Sequence, residues 1–148
     1  MKKHFLLYTF ILLITSASAK EIQMQTQEFP KEELTKQKVL IASMAAKELS
    51  KTLPQKIDKY TTLLSIKNSD ATLVYTFTIN TGVKSDASII KEDHSRMQRV
   101  VTRGVCNSSV RFLESGIGIS YIYVSAKTKK LLFRFDVTQE TCKNLSIN

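Results

Sequence analysis

Arg96, Arg99 and Arg103 recur at spacings of three and four, so on a helix their guanidinium groups fall along one stripe. Planar guanidinium forks hold phosphate or carboxylate through paired hydrogen bonds, which makes the stripe a candidate anion-binding surface. The plainer expectation is a solvated basic face paired locally to Glu92 or Asp93. Arg111, further along, is expected first to hold a carboxylate or the carbonyls at a helix end, and second to join the binding residues. His94 lies in Glu92-Asp93-His94-Ser95. One histidine with neighbouring carboxylates does not make the three- or four-ligand set that a metal needs, so a solvated helix face is the expectation for His94. Ser95 beside His94 points another way on a helix, so the two do not form a nucleophile and base. Asp58, Asp93 and Glu114 are the carboxylates open to acid–base work. No catalytic residue, metal ligand or cofactor is assigned.

Cys106 and Cys142 are the only cysteines. With no C-x-x-C spacing, the economical expectation is one structural disulfide rather than a redox or nucleophilic thiol. It would enclose 35 residues, for which loop closure predicts about 3 to 4 kcal/mol.

That expectation depends on an oxidising compartment, and the first nineteen residues supply one. Lys2 and Lys3, the apolar run Phe5 to Ile14 and Ser16-Ala17-Ser18-Ala19 have the three-part form of a secretory signal peptide cut after Ala19. The run is too short for a membrane span of about 20 residues. Loss of Lys2 and Lys3 lowers the net charge from +9 to +7. Such a balance favours lipid headgroups, wall polymers or an acidic partner, and makes nucleic acid remote.

The elements that must position these residues follow from periodicity. Residues 20–31 are polar and Gln-rich, a flexible lead-in to a single domain over 32–148. From Glu32 to Leu53, the apolar residues Leu34, Ile41, Met44, Ala45, Leu49 and Leu53 predict an amphipathic helix stopped by Pro54. Residues 61–79 then alternate as a hairpin turning at Asn68-Ser69-Asp70, and 119–137 as a second hairpin turning at 126–129. Between them one helix capped by Ser85 or Asp86 carries Ile90, Met97, Val101 and Val105 on one face. Gly104 and the Cys106-Asn107-Ser108 segment are expected to break it, after which Ser108 or Asn107 caps a short helix through Leu113 that ends at Gly116. Tyr75, Phe77, Tyr121, Tyr123, Phe133 and Phe135 share alternation with Leu73 and Val137, which reads as core rather than as a base-stacking surface. The simplest closure is an α+β fold: a four-stranded, mainly antiparallel sheet covered by helices on one face.

Leu53-Pro54, Ile57-Asp58, Thr62-Leu63, Val74-Tyr75, Cys106, Arg111, Leu113, Gly116, Tyr121, Tyr123, Phe135-Val137-Thr138 and Cys142 keep a characteristic order. In this the chain resembles a group of small exported bacterial proteins with an "LP..vD..T.L" opening and a C-terminal cysteine pair. The resemblance covers residues 53–142, implies the same fold, disulfide and export, and carries no activity. Ser109 stands where that group commonly has proline, and Lys129 where its hairpin turn usually has glycine. The function expected from all of this is a non-enzymatic exported, periplasmic binding or accessory protein that presents a basic surface to a protein or anionic envelope partner, including peripheral contact with a membrane. The alternatives are a small enzyme acting on wall or lipid polymers, and an inhibitor or immunity protein.

Overall fold

The computed structural model describes residues 30–145; the expected leader and nearly all of the lead-in lie outside them. Helix α1 (Lys31–Leu49) begins with Glu32 and Glu33 in its first turn and has Lys47 in its last, the charge order a helix dipole favours. It passes into a single 3-10 turn, Ser50–Thr52, and Pro54 follows. The helix therefore ends a turn earlier than periodicity suggests.

Five strands form the sheet: β1 (Gln55–Lys56), β2 (Thr61–Ser69), β3 (Thr72–Ile79), β4 (Gly118–Ser125) and β5 (Leu131–Val137), lying in that order. The two hairpins are β2–β3 and β4–β5, both antiparallel. Two features correct the four-stranded expectation. The two-residue β1 adds a fifth strand on β2, too short for alternation to reveal. The hairpins meet through a parallel pair, Thr72 opposite Gly118 through Ile79 opposite Ser125. Parallel neighbours require a crossover, and the chain makes it through α2 (Asp86–Lys91), α3 (Ser95–Ser108) and α4 (Val110–Glu114).

The single crossover helix of the sequence reading is thus two helices. Ser85 caps α2, its Oγ accepting from the Ser88 amide at 3.1 Å. The helix stops at Lys91, and α3 restarts after Asp93, whose carboxylate accepts the Ser95 amide at 2.9 Å and the Ser95 hydroxyl at 3.0 Å. Gly104 does not break α3, which runs through Ser108 with Thr102 and Val105 buried. The short α4 is followed by Gly116 at φ +75, and α5 (Gln139–Leu145) closes the described chain. The Cys106–Cys142 disulfide staples α3 to α5. Lys129 adopts φ +62 in the β4–β5 turn. Glycine takes that conformation without steric cost, a physical reason for its use there in similar chains.

One face of the sheet is the core. Leu63, Ile66, Leu73, Phe77, Ile119, Tyr123, Phe135 and Val137 are buried there beneath Ala42 and Ala46 of α1 and Val105 of α3, with Leu113. Helix α1 packs over β2 and β3, and α3 over β5. Tyr123 stacks on Phe77 at 4.9 Å and on Phe133 at 4.6 Å, and burial pushes its phenol up to about 12. Tyr75, Tyr121 and Phe133 are only partly buried.

Phe135→Ala should lower the unfolding free energy by about 3 to 5 kcal/mol, measured by denaturant melts, because it empties the centre of this layer. Reducing the disulfide, or replacing Cys106 and Cys142 by serine, should cost about 3 to 4 kcal/mol in the same assay. Unreduced native protein should present no alkylatable thiol.

Candidate functional site

The outer side of the helical layer is where sequence and structure diverge most. Helix α1 lowers only its small residues, Ala42 and Ala46, into the core, which brings its backbone close to the sheet. Leu34, Leu40, Ile41, Met44 and Leu49 stay exposed, Met44 at 63% and Ile41 at 46%. The apolar stripe expected to pack is therefore half unpartnered.

Two contacts orient α1 and α3. Lys38 leans over the α4–β4 turn, so near that a Cβ on Gly116 would lie 2.7 Å from its Nζ. Helical rotation of about 100° per residue puts Leu34, Ile41 and Ala45 on the same side of α1 as Lys38. On α3, Cys106 is turned outward to α5 by the disulfide. Helical rotation puts Met97 and Val101 on the opposite flank of α3 from Cys106. On the helix-covered face of the sheet lie Tyr75 and Tyr121, neighbours across the parallel pair with ring centroids 5.1 Å apart. Burial raises both phenols above the ordinary tyrosine range, so the hydroxyls stay protonated and uncharged. The helical layer thus leaves the Leu34 and Ile41 flank of α1 exposed beside partly buried aromatic residues of the sheet.

Arg96, Arg99 and Arg103 line the outer surface of α3 together with Val100, Gly104 and Asn107, around a shallow hollow of about 400 Å³. The expected local pairing does not occur. Glu92 is engaged by Lys84 at 2.8 Å. Asp93 is held by the Ser95 amide and hydroxyl, which together with nearby Arg99 keep its carboxyl below the usual range. The three guanidinium groups have no ion-pair partner among the described residues. Arg111 is brought into neither group. It is exposed on α4, and its carbonyl ends that helix by accepting the Ser115 hydroxyl at 2.7 Å.

His94 is not on a solvated helix face as its neighbours suggested. Its ring packs on Phe133 with centroids 4.1 Å apart, just ahead of α3, with Nε2 enclosed. Asp58 accepts the backbone amides of Tyr60 at 2.7 Å and Thr61 at 2.8 Å, a turn-forming role that lowers its carboxyl. Glu114 lies in a separate 230 Å³ crevice beside the disulfide. Among the described residues, no three His, Cys, Asp or Glu side chains converge as a metal site, and no helix is long and apolar enough to cross a membrane.

Sequence reasoning missed the bare flank of α1. Its signal was the size pattern within α1: small alanines at 42 and 46 beside bulkier residues at 34, 41 and 44.

A small α+β domain whose helical layer exposes an apolar flank on α1 and a row of arginines on α3 is what this geometry defines. The chain belongs to the family described as Domain of unknown function (DUF8479), whose model matches residues 36–133. No curated protein matches it in sequence. Among solved structures it is similar to a Pseudomonas aeruginosa protein assigned as secreted, at 15% identity and a TM-score of 0.66, covering 74% of this chain and 96% of that one. It is also similar to the type II secretion system pilotin EpsS of Vibrio vulnificus, at 18% identity and 0.61, covering 75% and 96%. A third is the type II secretion system pilotin AspS of Vibrio cholerae, at 24% and 0.57, covering 76% and 98%. These likenesses establish a shared fold.

Gly104 gives the site a direct test. A Cβ there meets nothing within 4 Å. Gly104→Ala should therefore raise stability by up to about 1 kcal/mol, seen as a higher melting temperature, since glycine in a helix interior is less favourable than alanine by that amount.

Proposed function

We propose that this protein is a non-enzymatic, exported accessory component of an envelope assembly that works by holding an apolar segment of a partner protein against the bare flank of α1. The observation that carries this reading is the bare apolar flank of α1: Leu34 and Ile41 stay 41% and 46% exposed, and Tyr75 and Tyr121 on the helix-covered face of the sheet are only partly buried. A helix normally buries such a stripe within its own domain. Here the domain leaves it exposed, and a segment laid against it with its own apolar face would remove both surfaces from water.

The shared fold with two secretion pilotins supports an accessory role and a protein partner. The three-part leader supports export. The phenols of Tyr75 and Tyr121, neutral and partly exposed, would supply hydrogen-bond donors to a segment whose apolar side lies against that flank.

Photo-crosslinking residues placed singly at Ile41 and at Met97, in cells exporting the protein, test the reading. Both positions should crosslink to the same partner polypeptide, and to the same segment of it by mass spectrometry. Ile41→Asp should abolish the Met97 crosslink while leaving the melting temperature within about 0.5 kcal/mol of equivalent stability, because the side chain is already exposed. Different partners from the two positions, or a Met97 crosslink indifferent to Ile41→Asp, would overturn it.

A further inference from the structure

We infer that the outer face of the helical layer is a docking surface for an anionic phospholipid membrane, a contact separate from the protein-binding flank of α1. Helices α1 and α3 pack on the same face of the sheet, so their outward crests point the same way. On α1, Leu40 and Met44 each stand two residues from the buried Ala42, about 160° around the helix, and are 60% and 63% exposed. On α3, Arg96, Val100 and Arg103 lie opposite the buried Val105, with Val100 67% exposed. Three apolar tips thus share one surface with a row of guanidinium groups.

The charges on this surface favour an anion. Of the carboxylates near it, Glu32 is tied to Lys36 at 2.9 Å and Glu48 to Lys51 at 2.6 Å. Glu92 is paired with Lys84 and Asp93 is hydrogen-bonded by Ser95, which leaves Glu33 as the one carboxylate of this group with neither an ion pair nor a side-chain hydrogen bond among the described residues. Arg96, Arg99 and Arg103 have no ion-pair partner among the described residues, and only Arg99 has a carboxylate, Asp93, near enough to feel its charge.

Their arrangement indicates which anion. The three side chains are strung over about 10 Å of helix and do not converge on a point, as a site for one phosphate ion would require. A row of lipid phosphates matches that spread. The apolar tips have no use for a free ion, but they fit the boundary between headgroups and acyl chains, where an amphipathic helix lies with its hydrophobic residues inserted. Basic residues near an anionic leaflet are attracted within about a Debye length of it.

Flotation with vesicles of phosphatidylethanolamine and phosphatidylglycerol, against vesicles of phosphatidylcholine alone, tests the inference on the full exported protein. The protein should float with the anionic vesicles at low salt and be released at about 1 M salt, where the Debye length is about 3 Å. Replacing Arg96, Arg99 and Arg103 together by glutamine should weaken binding by about a hundredfold, the loss expected for three basic residues at such a surface. Met44→Asp or Val100→Asp should weaken it with the arginines intact. Circular dichroism melts check that each variant is folded, which the outward position of these side chains favours. No flotation at low salt, equal binding to neutral vesicles, or full retention by the folded glutamine variant would each overturn the inference. Displacement by millimolar inorganic phosphate would assign the arginines to a free ion instead and overturn it equally.

Discussion

Parallel pairing of β3 with β4 is the constraint on which the rest of this structure depends. Two strands running the same way cannot be joined by a tight turn, so the chain between Ile79 and Gly118 must travel the length of the sheet and return. That excursion contains α2, α3 and α4, and it delivers α3 over β5. Helix α1, arriving from the other end of the chain, takes the remaining surface over β2 and β3. The exposure of the arginines follows from that division, because α3 rests on the sheet through Thr102 and Val105 and turns its other side to solvent.

The alternating segments were legible because alternation is local: Leu73, Tyr75, Phe77 and Ile79 state which side of β3 is apolar wherever the strand ends up. The α+β class and the helix-covered face follow from such patterns. Which strands become neighbours is a non-local matter, and nothing within either hairpin distinguishes a parallel central pair from an antiparallel one. A strand as short as Gln55–Lys56 offers no period at all. In α1 the period was correct, but its orientation was hidden. A stripe containing alanine, leucine, isoleucine and methionine does not say which edge goes down, and close packing on the sheet selected Ala42 and Ala46 over the bulkier residues.

The candidate site was legible in proportion. The spacing of Arg96, Arg99 and Arg103 placed them on one stripe, and they do line one surface. Their lack of partners was not readable, because Glu92 and Asp93 are close in sequence and pair locally on paper. The helix stops at Lys91 and begins again at Ser95, so those carboxylates sit in a bend, one reaching Lys84 and the other closing on Ser95. His94 follows the same logic, since the bend sets its ring against Phe133 instead of solvent. Gly104 suggested a helix end on propensity alone, yet tertiary packing through Val105 and the staple at Cys106 carry the helix past it.

The two borders of the sheet are treated differently from its faces. On the β2 side, β1 covers the first residues, and the Ser50 hydroxyl donates to the Ile66 carbonyl at 2.7 Å, closing a backbone acceptor further along. On the β5 side, Arg134 and Asp136 form an ion pair at 2.8 Å on the last strand. Charged side chains on an edge strand disfavour its pairing with an incoming strand, a common safeguard against templated growth. Copies of this domain crowded onto a two-dimensional surface, where encounters between neighbours are frequent, would therefore meet blunted borders and not propagate into fibres.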